Sequence, residues 1–155
     1  MTEASNERRT DLEDLMRRLD EARNALVEVL GKTPPAQFDA QNPEGESIKH
    51  ALDRTVDDVN FYYGRLIARA LNLPQPPCLT KADFGSMRES SMALQVAHRR
   101  LTNLLHDVLP DDLEKVAADP ELGTFTLRQV LEMAAAQYRM RAQQVQRLAA
   151  HAHPA

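Results

Sequence analysis

Apolar residues recur every three or four positions along most of the chain. Leu12, Leu15, Leu19, Ala22, Leu26, Val29 and Leu30 form the first such stripe, the spacing of an amphipathic helix. Ahead of it, Thr10-Asp11-Leu12-Glu13 has the form of a capping box, in which the hydroxyl and the carboxylate satisfy free helix-start amides. The first helix is therefore predicted to begin near Thr10. Gly31 closes it and Pro34-Pro35 prevents its resumption. Residues 32–46, rich in Pro, Gln, Asn and Gly, are long for a bundle connection and are expected to cross over or to cover one end. A second helix is predicted from the cap Ser47 to about Leu71, burying Ile48, Leu52, Thr55, Val59, Tyr62 or Tyr63, Leu66 and Ala70.

Leu73-Pro74-Gln75-Pro76-Pro77 reads as a stiff linker. Ser86-Met87-Arg88-Glu89 is a second capping box, and the third helix behind it shows Met92, Val96, Leu101, Leu104, Leu105 and Val108 as its apolar positions. Pro110-Asp111-Asp112-Leu113-Glu114 marks a short helical segment, because Pro suits a first turn and acids suit its positive end. Gly123 breaks the chain. Thr126-Leu127-Arg128-Gln129 then caps the last helix, whose apolar set is Leu127, Val130, Leu131, Ala134, Tyr138, Val145 and Leu148. These elements predict an all-α four-helix bundle with long crossover loops and an extra short helix between the third and fourth helices. One domain over residues 1–150 is expected, with 151–155 a frayed tail.

Composition changes this picture little. The chain of 155 residues, 43% hydrophobic and 27% charged with five Gly and no Trp, is sized for one buried core and tilted towards helix. A net charge of -4 with interspersed Arg and Glu leaves no electrostatic footprint for nucleic acid or membrane. The lone Cys78 allows no internal disulfide and no cysteine metal cluster. The N-terminus lacks the apolar core of a signal peptide, and no apolar run approaches the ~20 residues of a membrane span. A cytoplasmic protein is expected.

Two anchors carry a family resemblance. One is Ser47-Ile48-Lys49-His50-Ala51-Leu52-Asp53-Arg54; the other runs from Thr126-Leu127 to Gln144-Val145. Their order resembles the DinB-like family of damage-inducible four-helix bundles, described as metal-dependent hydrolases and thiol-using transferases. At the first anchor that family shows Trp-Ser-Ile/Val, an apolar pair and a His. At the second it shows Thr-Val, a His-x-x-x-His pair and Gln-Ile. The likeness in helix spacing covers roughly residues 8–149, and it implies a homodimer. It also implies a divalent ion such as Ni or Zn held by three His, one from the second helix and two from the last. The corresponding positions here are Arg54, Gln137 and Arg141, and the usual Trp is Glu46. The family label concerns how some members are induced and implies no DNA binding.

A metal needs lone-pair donors, and Arg has no acceptor and keeps its charge. The chain is therefore expected to lack that metal and to need no cofactor. Gln137, Arg141 and Gln144 share one face of the last helix. One reading is structural, with Arg54 paired to Asp58 one turn away and Arg141 to an acid such as Glu132. The sharper reading has Arg54, Arg141 and Gln137 converge, beside Asp58, on a small anionic ligand, because Arg forks bind carboxylate or phosphate. A binding or protein-interaction module follows from it. The alternative is a metal-dependent hydrolase or thiol S-transferase using other ligands, among them His50, Asp53, Asp57 and Asp58. His50, His98, His106, His151 and His153 are expected at the surface, and Phe61, Tyr62 and Tyr63 are expected to plug the core or a subunit contact. Cys78 has no basic neighbour closer than Lys81 to activate it. Ser86, Ser90 and Ser91 belong to no triad signature.

Overall fold

The computed structural model describes residues 3–74 and 79–151. Four rods pack around one apolar core. The first, α1 (Glu3–Lys32), begins well before Thr10. Thr10 is no cap: its hydroxyl donates to the Asn6 carbonyl at 2.9 Å within the helix. The run Glu3-Ala4 and Glu7-Arg8-Arg9 is made largely of good helix formers, so nothing stops the helix there. Arg8 also reaches Asp111 at 2.6 Å.

The second rod has three parts. Ser47 caps α2 (Ile48–Asp57), its hydroxyl accepting from the His50 amide at 3.1 Å. A π-helical stretch, Asp58–Tyr63, follows and leads directly into α3 (Gly64–Ala70). The Gly64 amide donates to the Val59 carbonyl, five residues back. A Cβ on Gly64 would lie 3.0 Å from that oxygen, so the bare glycine lets the wide turn close. All the expected seam residues of this rod are buried, with Tyr63 rather than Tyr62 facing inward.

Ser86 caps α4 (Met87–Leu104) as predicted, accepting from the Glu89 amide at 3.1 Å. The predicted face holds only in the last part of the helix, where Leu101 and Leu105 are buried and Leu104 and Val108 pack against the core. Earlier the buried face runs through Met87, Ser90, Leu94, Ala97 and His98, while Met92 and Val96 are 57% and 45% exposed. Two polar side chains inside the true stripe disguised its phase.

A short 3-10 turn, Pro110–Glu114, occupies the place of the predicted short helix. After it comes a hairpin that the periodicity did not announce, β1 (Val116–Asp119) paired antiparallel with β2 (Gly123–Thr126), Val116 opposite Thr126 and Asp119 opposite Gly123. Gly123 takes φ of 108°, a conformation open to glycine and costly for other residues. Thr126 then caps α5 (Leu127–His151) in a reciprocal box: its hydroxyl accepts from the Gln129 amide at 3.1 Å, and the Gln129 side chain accepts from the Thr126 amide at 2.9 Å. The predicted apolar face of α5 is buried throughout.

α1 lies along α5, and α2 packs on both α4 and α5. Leu19, Leu26, Leu52, Leu94 and Leu131, all 0% exposed, form the centre of the core; truncating any one to Ala is expected to cost about 2–5 kcal/mol.

The hairpin is held by Asp119. Its carboxylate is fully buried, 2.7 Å from Nε of both Arg65 and Arg69 on α3, and it accepts from the Glu121 and Leu122 amides at 2.9 and 3.1 Å. Burial acts to raise its pKa, but the two amides and the two guanidiniums prevail and hold it below the ordinary carboxylate value.

No helix among the described residues is long and apolar enough to cross a membrane. Gln75, Pro76 and Pro77 of the expected linker, Cys78, and the expected tail beyond His151 lie outside the described residues.

Candidate functional site

The second rod and α5 do not seal against each other where the π stretch passes. A cleft of about 610 Å³ opens there, with Arg54, Asp58, Gln137 and Arg141 as its charged and amide-bearing walls. Tyr62, Tyr63, Met133, Ala136 and Met140 supply the rest of its surface. Arg54 and Asp58 come from α2 and the first π residue; Gln137 and Arg141 stand one turn apart on α5.

Asp58 sits between the walls. Its Oδ2 accepts a hydrogen bond from the Gln137 amide, and the Arg141 Nη2 lies 3.7 Å from the same oxygen. Arg141 is 7% exposed and donates through Nη1 to Gln144 Oε1 at 2.8 Å. Gln144 in turn donates to Glu46 at 3.2 Å, and Asn42 donates to the other Glu46 oxygen at 3.1 Å. The face shared by Gln137, Arg141 and Gln144 thus meets both the second rod and the long loop before it.

The expected pairing within the second helix does not form. Asp58 faces Arg141 across the cleft rather than Arg54, and Arg54 is exposed with no ion pair among the described residues. The helix keeps its ordinary spacing up to Asp58, whose amide donates to the Arg54 carbonyl; the Asp58 carboxylate instead meets the Gln137 and Arg141 donors of α5. Glu132 is likewise exposed and does not meet Arg141. Two guanidiniums against one carboxylate leave one positive charge uncompensated.

Burial governs the titrating groups here. It lowers the Arg141 pKa from its ordinary value against the opposing Asp58 charge, with Arg54 adding to the fall. Tyr63, buried beside Asp58, is pushed up to about 12 and stays a neutral phenol. Gln137 Oε1 and Arg141 Nε are both buried with no hydrogen-bond partner among the described residues, an expensive condition for polar atoms. Tyr62 is only half-buried and packs edge-on against Tyr63, ring centres 5.0 Å apart. Of the aromatic trio, Tyr63 plugs the core as expected, while Tyr62 also borders the cleft.

The histidines need one correction. His50 and His106 are exposed, but His98 is 4% exposed. Its Nε2 lies 2.8 Å from Asp20 Oδ1 and its Nδ1 2.9 Å from the Tyr138 hydroxyl. A carboxylate only accepts, so Nε2 carries the proton and Tyr138 donates to Nδ1. Burial dominates and lowers the His98 pKa, with Asp20 acting against it. His98 lies four residues after Leu94 and three before Leu101; that spacing on a buried stripe was the available signal. Among the described residues no three His, Cys, Asp or Glu side chains gather as metal ligands would.

The sequence model of the DinB superfamily matches residues 18–145, which include every residue of the cleft. The chain belongs to the DinB superfamily. Searches of the curated proteins and of the solved structures each returned no match. As in other DinB-like bundles, the all-α architecture is set by four rods, here with one small hairpin added.

Proposed function

We propose that this DinB superfamily member is a binding module whose cleft takes a small anion. The observation that carries the reading is the surplus of cation at the cleft: Arg141 is 7% exposed, Arg54 is exposed with no ion pair among the described residues, and Asp58 offsets only one of them. Guanidinium groups recognise carboxylate and phosphate through paired N–H donors. Among the described residues no acceptor engages the Arg54 donors.

The divalent ion implied by the superfamily does not suit these side chains. Neither guanidinium can ligate, and the two together repel a cation. Asp58 already accepts from Gln137 and faces Arg141. The substitute carboxylates are engaged as well. Asp53 accepts from Lys49 at 2.7 Å and from the Phe84 amide at 3.2 Å, and Asp57 accepts from the Ala82 amide at 2.8 Å. These bonds pin the segment before α4 to the second rod. The enzymatic reading with other ligands therefore has less behind it.

Isothermal titration with a panel of small carboxylates and phosphates tests the proposal. Binding that weakens at least tenfold in Arg54→Ala is the expected result. Heat signals absent in the wild-type protein, or indifferent to Arg54→Ala, would retire it. Stoichiometric Ni, Zn or Mn in tag-free protein would restore the metalloenzyme reading.

A further inference from the structure

The cleft is lined by two unlike kinds of side chain, and together they describe a ligand more narrowly than charge alone. We propose that it selects a singly charged carboxylate carrying an apolar tail; this rests on the anion-binding reading above. Arg54, Arg141 and Asp58 supply its charge, and Tyr62, Met133 and Met140 supply its apolar surface.

The charge comes first. Arg54 and Arg141 against Asp58 leave a surplus of one positive charge. A carboxylate restores neutrality. A phosphate monoester near its full charge at neutral pH overshoots, and its second negative charge sits beside Asp58 in a partly desolvated place where like charges repel strongly. A cationic or neutral ligand leaves Arg54 unanswered.

The apolar side chains set the tail. Met140 is 52% exposed and lines the cleft, and Met133, half-buried, stands about two helical turns earlier on the same face of α5. Tyr62 faces them from the π stretch, its ring held by the edge contact with Tyr63. Thioethers on unbranched side chains adapt to aliphatic and aromatic bodies alike. The volume of about 610 Å³ is far more than a two-carbon acid fills, and it lies within the ~300–1,000 Å³ usual for organic ligands. A carboxylate at Arg54 thus leaves its substituent lying along the methionines.

The test compares acetate, hexanoate, hexyl phosphate and hexylamine by isothermal titration on the full chain, in wild type, Arg54→Ala and Met140→Ser. Both substitutions are at exposed positions, so folding is retained. Hexanoate is expected to bind at least roughly tenfold tighter than acetate, since each buried methylene adds several-fold. It should also bind tighter than hexyl phosphate, and hexylamine should not bind. Met140→Ser should weaken hexanoate several-fold while leaving acetate unchanged. If acetate and hexanoate bind alike and both need Arg54, the tail is wrong and the anion site stands. Preference for hexyl phosphate overturns the single charge. Hexanoate binding that ignores Arg54→Ala places it elsewhere and overturns the proposal, and silence from every anion removes the underlying reading with it.

Discussion

Two places in this bundle are built from the same three charges, two arginines and one aspartate, and they could hardly differ more. On α3, Arg65 and Arg69 close on Asp119 at 2.7 Å each, and two backbone amides fill its other oxygen. Across the cleft, Arg141 stands 3.7 Å from Asp58, and among the described residues Arg54 pairs with no acid. The first is a closed clamp in which the carboxylate is surrounded by donors. The second is open, with donors left over and a cavity in front of them. Identical residue types serve structure where both guanidiniums close on the carboxylate, and they are available to a ligand where one is left over.

The sharpest way to break the comparison is Asp119→Asn. It leaves two guanidiniums facing a neutral amide under the hairpin, and Tm should fall on the order of 10 °C, as for other buried pairs stripped of one partner. The pH dependence carries a definite sign. Because the folded pKa of Asp119 is depressed, its stabilisation is complete above the unfolded carboxylate pKa and is lost as pH falls through the lower folded value. Acid titration of stability should therefore flatten in the Asn variant. A Tm unchanged by Asp119→Asn would show that the clamp does not hold the hairpin.

Gly64 joins the two places, with the π stretch on one side and the clamp arginines on the other. Glycine to alanine inside a helix ordinarily stabilises by up to ~1 kcal/mol. Here the new Cβ meets the Val59 oxygen at 3.0 Å, so the sign should reverse, with a loss of about 1–2 kcal/mol in chemical denaturation. A gain in stability would show that the wide turn closes without the glycine.

Asp58→Asn opens the cleft further. It should lower stability by about 1 kcal/mol, because Arg141 loses its nearest acid. Hexyl phosphate should then bind tighter than before, while hexanoate changes less. Equal effects on both would undo the charge matching.

The smallest effect belongs to His98→Phe. The folded pKa of His98 is depressed, so its burial favours the neutral ring. Stability is full above the ordinary value of 6.5 and declines as pH drops from there towards the folded pKa. The Phe variant should lose that slope in denaturation followed across the window. A slope that persists belongs to another group.

How far these features were legible depends on the range of the interaction that makes them. Ser47, Ser86 and Thr126 were readable as caps because each bonds to an amide within three residues. Thr10 has the same local pattern and fails, because the residues before it are helix formers and no break forces a start. On the first half of α4 the stripe was misphased: Ser90 and His98 lie inward in place of Met92 and Val96, and the partner that makes His98 tolerable, Asp20, is on α1. The hairpin was hidden because β1 is short and alanine-rich, and its exposed Val116 looks like any surface residue. The four cleft residues could be named from the anchors, but the partner of Asp58 could not.

By itself the sequence determined the rods, since periodicity and caps act over a turn or two and the chain carries both in full. It also determined which residue types would stand near the cleft. Only the tertiary structure decided which arginine Asp58 meets, that Asp119 is shut in while Arg54 is left free, and that a histidine lies in the core. Those outcomes depend on contacts between elements distant in the chain, where small rotations choose the neighbour of every charge.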